Sequence, residues 1–270
     1  KAVAGMTWSH TGIVEFNVNS TSKNITTGGK TLGGNVYFGS YATGDTYTLQ
    51  DDFTTAGNIE VGGGVFNANN KNISCTVFKS NDATNARTLT LGSGTITITS
   101  DSGAWQMDAT NLTVSATTCI IKFTSSSVTQ APFGGVGKSW GTLWNARGST
   151  GDILITGSNT FVGLKADPGR FWTITAGTTQ TIASAAGWDN TGTAGNLITI
   201  LTTSAGTAWT LACATGTVTS NYCSFKDSTA SGAGPFYAGA NSTNVSGNTG
   251  WTFTGPPSAA KPSTMMMMGV

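Results

Sequence analysis

The sequence predicts an all-β protein that folds as a parallel β-helix, a solenoid in which each coil contributes two or three short strands. Two observations lead to this fold class. Apolar and polar residues alternate along many short segments, and these segments recur with a period of about 23 residues. Charged residues make up only 9% of the 270 residues, and Glu occurs only twice, which excludes a coiled coil or a helical bundle.

The predicted strands are segments that alternate with period two, the pattern of a pleated strand with one buried face. Threonine fills many of the polar positions, because its β-branched side chain suits a pleated surface. Glycine, serine, asparagine and aspartate fill the gaps and favour turns. The clearest strand segments are 13–18, 35–38, 46–49, 89–91, 96–98, 119–123, 152–155 and 196–200.

Two separate tracks of apolar residues keep the same period, and this favours a solenoid in which equivalent residues stack in ladders about 4.8 Å apart. The alternative is a β-sandwich or a β-meander. Its hairpins would not make two separate sets of apolar residues repeat with the same sequence spacing. The two tracks that share one regular spacing are Ile73, Ile96 and Cys119, and Phe66, Leu89 and Leu112; a later track, Ile153, Ile174, Ile198 and Tyr222, keeps a similar but less regular spacing.

The chain divides into three parts by composition. Residues 1–24 are an N-terminal segment or cap, 25–255 form the β-helix, and 256–270 are a Pro-rich linker with a Met-rich tail. Residues 128–147 interrupt the period with Pro132 and four glycines, so a lateral loop or an irregular coil is expected there.

Several functional classes are disfavoured by composition. Basic residues are scattered, which argues against nucleic-acid binding through phosphates. No stretch of about 18 apolar residues predicts a membrane span. The cysteines form no CxxC pair and the single His10 cannot complete a zinc site, so no metal or cofactor is predicted. The cysteines are expected to be small buried hydrophobes, with a Cys213–Cys223 disulfide left open; they are Cys75, Cys119, Cys213 and Cys223.

Three segments, 89–98, 194–200 and above all 236–253, resemble right-handed β-helix proteins of bacteriophages, such as tail fibres, tail spikes and head decorations. The resemblance covers residues 25–255, and similar repeats occur in bacterial surface proteins. It implies a right-handed, rigid and often trimeric rod on the outside of a particle. The partners that it implies are copies of the chain, other virion proteins and a host-surface glycan.

We therefore expect a non-enzymatic structural protein of a phage particle on the virion exterior, which provides assembly contacts or host-surface adhesion. The low charge also favours self-association, a trimer being one form of it. The alternatives are a polysaccharide depolymerase and an adhesin, the latter extracellular or on a bacterial cell surface. The tail is the expected assembly contact, with a disordered end as the alternative; its methionines are Met265, Met266, Met267 and Met268.

A depolymerase needs paired carboxylates, and on a β-helix such a pair lies on one coil or on adjacent coils. Asp167 and Asp189 stand nearly one period apart in the sequence, as do Arg147 and Arg170, so the four could share one face. Such a set could serve hydrolysis, or a lyase in which Arg neutralises a uronate. A surface ion cluster at turns is the simpler interpretation, because Pro and Gly follow Asp167 and Asn follows Asp189.

Tryptophans in loop-like contexts are the candidates for stacking on a glycan. Burial in the coil or between subunits is the commoner fate of such side chains. The candidates are Trp140, Trp144, Trp188 and Trp251.

Overall fold

The computed structural model describes residues 10–17, 21–39, 44–148 and 151–257. Over these residues the chain is all-β, with parallel sheets stacked as a β-solenoid of about 10 turns and almost no helix. The prediction of a parallel β-helix is confirmed, and the alternative of an antiparallel sandwich or meander is not formed. The predicted assembly tail, Met265 to Met268, lies outside the described residues.

The strands are short and follow one another at close intervals. In chain order they are β1 (Val14–Phe16), β2 (Ser22–Ile25), β3 (Thr31–Leu32), β4 (Val36–Phe38), β5 (Thr46–Leu49), β6 (Phe53–Thr55), β7 (Ile59–Val61), β8 (Gly64–Asn67), β9 (Ile73–Cys75), β10 (Phe78–Ser80), β11 (Arg87–Thr90), β12 (Thr95–Ile98), β13 (Trp105–Met107), β14 (Leu112–Ser115), β15 (Ile120–Phe123), β16 (Ala131–Gly134), β17 (Ser139–Asn145), β18 (Asp152–Thr156), β19 (Asn159–Ala166), β20 (Phe171–Ile174), β21 (Thr179–Ile182), the 3-10 turn η1 (Ala185–Gly187), β22 (Trp188–Asn190), β23 (Ile198–Thr202), β24 (Trp209–Cys213), β25 (Val218–Thr219), β26 (Cys223–Lys226), β27 (Ser228–Gly232), β28 (Phe236–Tyr237) and β29 (Thr243–Ser246).

Three sheets run along the solenoid. Sheet 1 has eleven strands in the order β1-β4-β7-β10-β13-β16-β18-β20-β23-β26-β29, and sheet 2 has five, β2-β5-β8-β11-β14. Sheet 3 runs β3-β6-β9-β12-β15-β17-β19-β21-β24-β27, with β22 paired beside β19. Each coil is therefore three-sided as far as β14. Sheet 2 then ends, and strands of sheet 3 lengthen to seven residues in β17 and eight in β19.

The core consists of inward-facing side chains that repeat from coil to coil, because strand residues alternate between the two faces of a sheet. Aromatic rings stack along the axis in the first half of the solenoid. Phe38 and Phe66 have centroids 4.9 Å apart, and Phe78 stacks on Trp105 at 4.9 Å, which in turn stacks on Phe133 at 5.9 Å. Such pairs add about 0.5–1.5 kcal/mol beyond the burial of apolar area.

The strand pairings agree with the predicted 23-residue spacing in the first coils where it is regular. In later coils the observed pairings differ from the predicted ones, mostly by two positions. Ile73 pairs with Ile96 and Phe66 with Leu89, as predicted. A shift by two keeps each inward position inward. The pairings that differ from the prediction are Ile96 with Ile121 instead of Cys119, Leu89 with Val114 instead of Leu112, Ile153 with Trp172 instead of Ile174, Ile174 with Thr202 instead of Ile198, and Ile198 with Cys223 instead of Tyr222.

The expectation of a lateral loop at residues 128–147 is wrong for most of that segment. It contains the regular strands β16 and β17, and Trp140 of β17 is fully buried in the core. The Nε1 of Trp140 donates a hydrogen bond of 3.0 Å to the carbonyl oxygen of Gly135. The glycines have a packing role instead: a Cβ on Gly141 would lie 1.9 Å from the carbonyl oxygen of Cys119 on the neighbouring coil.

The last described coil closes over the core with aromatic side chains. Trp251 lies 4.5 Å from Phe225 and 5.6 Å from Phe236, measured between ring centroids.

The four cysteines are buried and free, so the Cys213–Cys223 disulfide that the sequence left open is not formed. Over the described residues, no helix has the length and apolar character that crossing a membrane requires.

Candidate functional site

The outer face of sheet 3 carries a column of charged and aromatic side chains on an otherwise weakly charged rod. Lys122 of β15 lies opposite Trp144 of β17, Trp144 lies opposite Lys165 of β19, and Lys165 lies opposite Asp189 of β22. All four alternate with buried neighbours, so their side chains point outward. Parallel strands about 4.8 Å apart bring these residues into contact, although they are far apart in the sequence.

Trp144 is held between two lysines and a carboxylate. The Nζ of Lys122 lies 4.0 Å from the ring centroid of Trp144 and that of Lys165 lies 5.2 Å from it. The two lysines come from the strands on either side of Trp144. Its Nε1 donates a hydrogen bond of 2.8 Å to Oδ1 of Asp167. These contacts cover the ring and fix its orientation.

Lys165 continues the column through an ion pair. Its Nζ lies 2.5 Å from Oδ2 of Asp189, and both side chains reach solvent, with 35% and 59% of their surface exposed. An exposed pair of this kind contributes little to stability, because water screens it and two long side chains must be ordered.

A groove of about 420 Å³ opens beside this ion pair. It lies where β19 pairs with β21 at its start and with β22 at its end, beside the η1 turn that connects those two strands. Val162 of β19 is 49% exposed there. The lining is mostly small or apolar, with one charge of each sign; it comprises Thr142, Val162, Gly163, Lys165, Ala183, Ser184, Ala186, Gly187 and Asp189.

The two acids predicted as a catalytic pair are both near this column, but they do not face one another in register. Their sequence offset predicted Asp189 opposite Asp167, whereas the strand register places Asp189 opposite Lys165. Asp167 follows the end of β19 and accepts the hydrogen bond from Trp144. It is not among the residues that line the groove.

Arg147 lies inside the solenoid, away from solvent. Its side chain is 0% exposed, and its Nη2 lies 2.6 Å from Oδ1 of Asp101. The guanidinium also donates to the carbonyl oxygens of Ser127 and Thr129, at 2.9 Å and 2.5 Å, and to that of Asp152. It therefore joins successive coils at the level where sheet 2 has ended.

Charge and burial act in opposite directions on the pKa of Arg147. Burial lowers the pKa, the neighbouring Asp101 and Asp152 raise it, and the nearby Arg170 lowers it, with a lowered pKa as the net result. Arg170 is half-buried, just before β20. The sequence placed Arg147 and Arg170 on one face with the two acids, whereas Arg147 is buried and bound to Asp101 and backbone carbonyl oxygens rather than available to a substrate.

The four candidate tryptophans have different environments. Trp140 is fully buried, Trp188 is 7% exposed with its Nε1 donating to Oγ of Ser220 at 2.7 Å, and Trp251 covers the last coil. Trp140, Trp144 and Trp188 lie on strands, not in the loops that the sequence suggested. Trp144 points outward, yet its ring is covered by lysines. The exposed apolar surface of this region is Val162, which sequence reasoning missed.

One sequence pattern could have identified this site: Lys122, Trp144, Lys165 and Asp189 each lie between two inward-facing residues, so all four side chains point outward. Reading it requires the register between coils, which unequal coil lengths obscure. Among the described residues, no three His, Cys, Asp or Glu side chains cluster in a way that could hold a metal ion. Comparison with known proteins finds no matching family model, no similar curated protein and no similar solved structure.

Proposed function

We propose that this protein is a non-enzymatic structural rod of an exposed biological surface, and that the surface is that of a bacteriophage particle. One observation carries the proposal: three of the four candidate catalytic groups are bound to other groups of the protein. Asp167 holds Trp144, Asp189 is paired with Lys165, and Arg147 is buried against backbone carbonyls.

Hydrolysis of a glycan requires two carboxylates about 5–9.5 Å apart on opposite sides of a bound sugar. The groove on sheet 3 is lined by one carboxylate, Asp189, and that group is ion-paired. Most of the chain instead forms stacked strands around a continuous core. This arrangement suits a rigid spacer that presents its outer faces for assembly or adhesion.

The setting on a phage particle rests on the Gly- and Thr-rich segments that resemble virion β-helix proteins, together with the low charge of the chain. Only 9% of residues are charged, which is poor protection against association in free solution but compatible with a permanent place in an assembly.

Cryo-electron microscopy of native material that contains the chain tests this proposal. We expect a repeated β-solenoid on a capsid or tail. A free particle that cleaves surface polysaccharide would overturn it. In that case Asp189→Ala should abolish cleavage, whereas the proposed structural protein shows no cleavage in the wild type.

The groove favours a second function for the same rod, adhesion to a host-surface glycan. Val162 and the small side chains offer contact to the C–H face of a sugar. Lys165 and Asp189 offer a donor and an acceptor for neighbouring hydroxyls. This location replaces the tryptophans as the glycan-contact candidate.

Binding of the purified chain to a panel of neutral and acidic oligosaccharides, followed by ligand-observed NMR, tests adhesion. Val162→Asp should abolish binding, because a charge would occupy the apolar floor. Val128→Asp is the control, since Val128 is also exposed but does not line the groove. Equal loss in both variants, or no binding to any glycan in the panel, would contradict adhesion at this groove.

A further inference from the structure

The outer face of sheet 1 carries an apolar strip on four adjacent strands. Pro132, Leu154 and Leu201 belong to one outward column, with Thr173 between the two leucines, and Phe171 stands in the next column. We call Pro132, Leu154, Phe171 and Leu201 the apolar strip. Each is half-buried and lies outside the core cluster; Pro132, Leu154 and Leu201 each stand between two buried residues, and Phe171 precedes the buried Trp172.

The first half of sheet 1 and the whole of sheet 2 have a more polar outward face. In the first half of sheet 1, the outward column is Glu15, Tyr37, Glu60, Lys79 and Gln106. Sheet 2 has one apolar residue among its ten outward positions, which are Ser22, Asn24, Thr46, Thr48, Val65, Asn67, Thr88, Thr90, Thr113 and Ser115. Contiguous outward apolar side chains are a feature of surfaces that contact other proteins.

The dimensions of sheet 1 indicate what covers it. Eleven strands about 4.8 Å apart make the sheet roughly 50 Å long, and strands of three to five residues make it about 10–17 Å wide. The face therefore measures about 500–800 Å², and a stable interface needs about 800 Å² from each partner. Only a partner that follows the sheet over nearly its whole length reaches that area. The same face of a second copy has the required length and pleat.

We propose that copies of this chain pack side by side through the outer face of sheet 1, parallel and in register, with the apolar strip at the centre of the contact. The proposal deepens the structural role proposed above and rests on it. It identifies the face, the partner and the relative orientation of the copies.

The position of the strip along the sheet determines the orientation. The strip occupies β16, β18, β20 and β23, the sixth to ninth of the eleven strands. An antiparallel pair with full overlap would set β7, with Glu60, against β23, with Leu201. An antiparallel pair centred on the strip would leave the first strands of each copy without a partner. A parallel pair in register sets the strip of one copy against the strip of the next over the full length of the sheet, and it also places Glu60 and Lys79 opposite the same residues of the next copy.

Sedimentation equilibrium of the purified chain tests the contact. The wild type should have a mass that is a multiple of 27.5 kDa, and Leu154→Lys and Leu201→Lys should each return it to 27.5 kDa. Val65→Lys is the matched control, because Val65 is an outward, half-buried apolar residue on sheet 2. Circular dichroism establishes that each variant is folded. A monomeric wild type, oligomers that persist in both leucine variants, or dissociation by Val65→Lys would overturn the proposal.

Crosslinking tests the orientation. The native cysteines are buried, so a new thiol at Gln106→Cys is the intended target of a thiol-specific linker about 10 Å long, the spacing of packed sheets. Parallel copies in register should crosslink at this position, whereas antiparallel copies centred on the strip should not. The two proposals can fail separately. A monomeric wild type would overturn the contact but not the structural role, which cryo-electron microscopy tests. Absence of the rod from a capsid or tail would overturn the structural role but not a sedimentation result that shows self-association.

Discussion

Trp144 and Asp167 are hydrogen-bonded to one another, Nε1 to Oδ1 at 2.8 Å. The sequence offered the ring as a candidate for glycan contact and the carboxylate as a candidate catalytic group, with a surface ion cluster as the simpler interpretation. Their contact gives both residues one structural task, which is to fasten the end of β19 to the strand before it. Lys122 and Lys165 complete the arrangement by covering the ring.

The buried ion pair between Arg147 and Asp101 should matter far more to stability than the exposed pair between Lys165 and Asp189. Asp101→Asn leaves a buried guanidinium without its counter-charge, so we expect the free energy of unfolding to fall by about 3 kcal/mol. Asp189→Asn should change it by less than about 1 kcal/mol. Urea unfolding of the two variants makes the comparison, and equal losses would contradict the structural role of Arg147.

Gly141 should not tolerate a side chain. Alanine there would push its Cβ into the carbonyl oxygen of Cys119, which accepts the backbone N–H of Thr142 at 2.9 Å. We expect Gly141→Ala to lower the free energy of unfolding by about 3 kcal/mol. Gly255→Ala is the control, because no atom lies within 4 Å of its Cβ position. A Gly141→Ala protein as stable as the control would show that the coils can separate at this point without cost.

The cysteine thiols should be inert in the folded protein. Burial raises the pKa of Cys119 to about 11 and that of Cys223 to about 12, and it also raises the pKa of Cys75. At pH 8 a thiol reagent should therefore react with none of the four cysteines until urea is added, and then with all four. Immediate reaction of any thiol in the native protein would contradict this burial.

The same raised pKa values have a consequence at alkaline pH. Because the folded state holds the Cys119 thiol neutral, the unfolded chain loses its proton more readily. The associated stability is present below the ordinary thiol pKa of 9.0 and is lost as the pH rises from there toward about 11. Urea midpoints measured across this range should decline less in Cys119→Ser than in the wild type.

Asp51 should control the turn at Thr27, Gly28 and Gly29 in a pH-dependent way. Burial raises the pKa of Asp51, but backbone N–H groups of all three turn residues donate to the carboxylate and outweigh it, so the net pKa is lowered. These bonds are present above the ordinary value of 3.8 and are lost as the pH falls through the lowered pKa.

Hydrogen exchange of the three amides measures the effect. Asp51→Ala should accelerate their exchange roughly tenfold at neutral pH, as expected for loss of charge-assisted hydrogen bonds. Asp82→Ala is the control, because Asp82 binds the amide of Thr84 in a different turn. Unchanged exchange in Asp51→Ala would mean that the turn is held by other contacts.

The sequence predicted the solenoid well because the fold is a repeated local pattern. Alternation identifies strands such as β12, and the pairing of Ile73 with Ile96 was predicted from spacing alone. The next pairing, of Ile96, was predicted two positions too early, because the connection between β12 and β13 is longer than the equivalent one between β9 and β10. A track of similar apolar residues offers two registers that both keep the same face inward. Trp140 was misjudged for a related reason: the glycines around it indicated a loop, while they serve close packing between coils.

The amino-acid sequence by itself determined the architecture, because period-two alternation, turn residues and a regular coil-length repeat are compatible with few folds other than a stack of parallel strands. Only the tertiary structure decided which side chains meet. Contacts such as that of Asp189 with Lys165, or of Arg147 with Asp101 across 46 positions, depend on the exact length of every intervening coil. Connections between coils vary in length at little energetic cost, so the sequence pattern leaves those lengths open and packing fixes them.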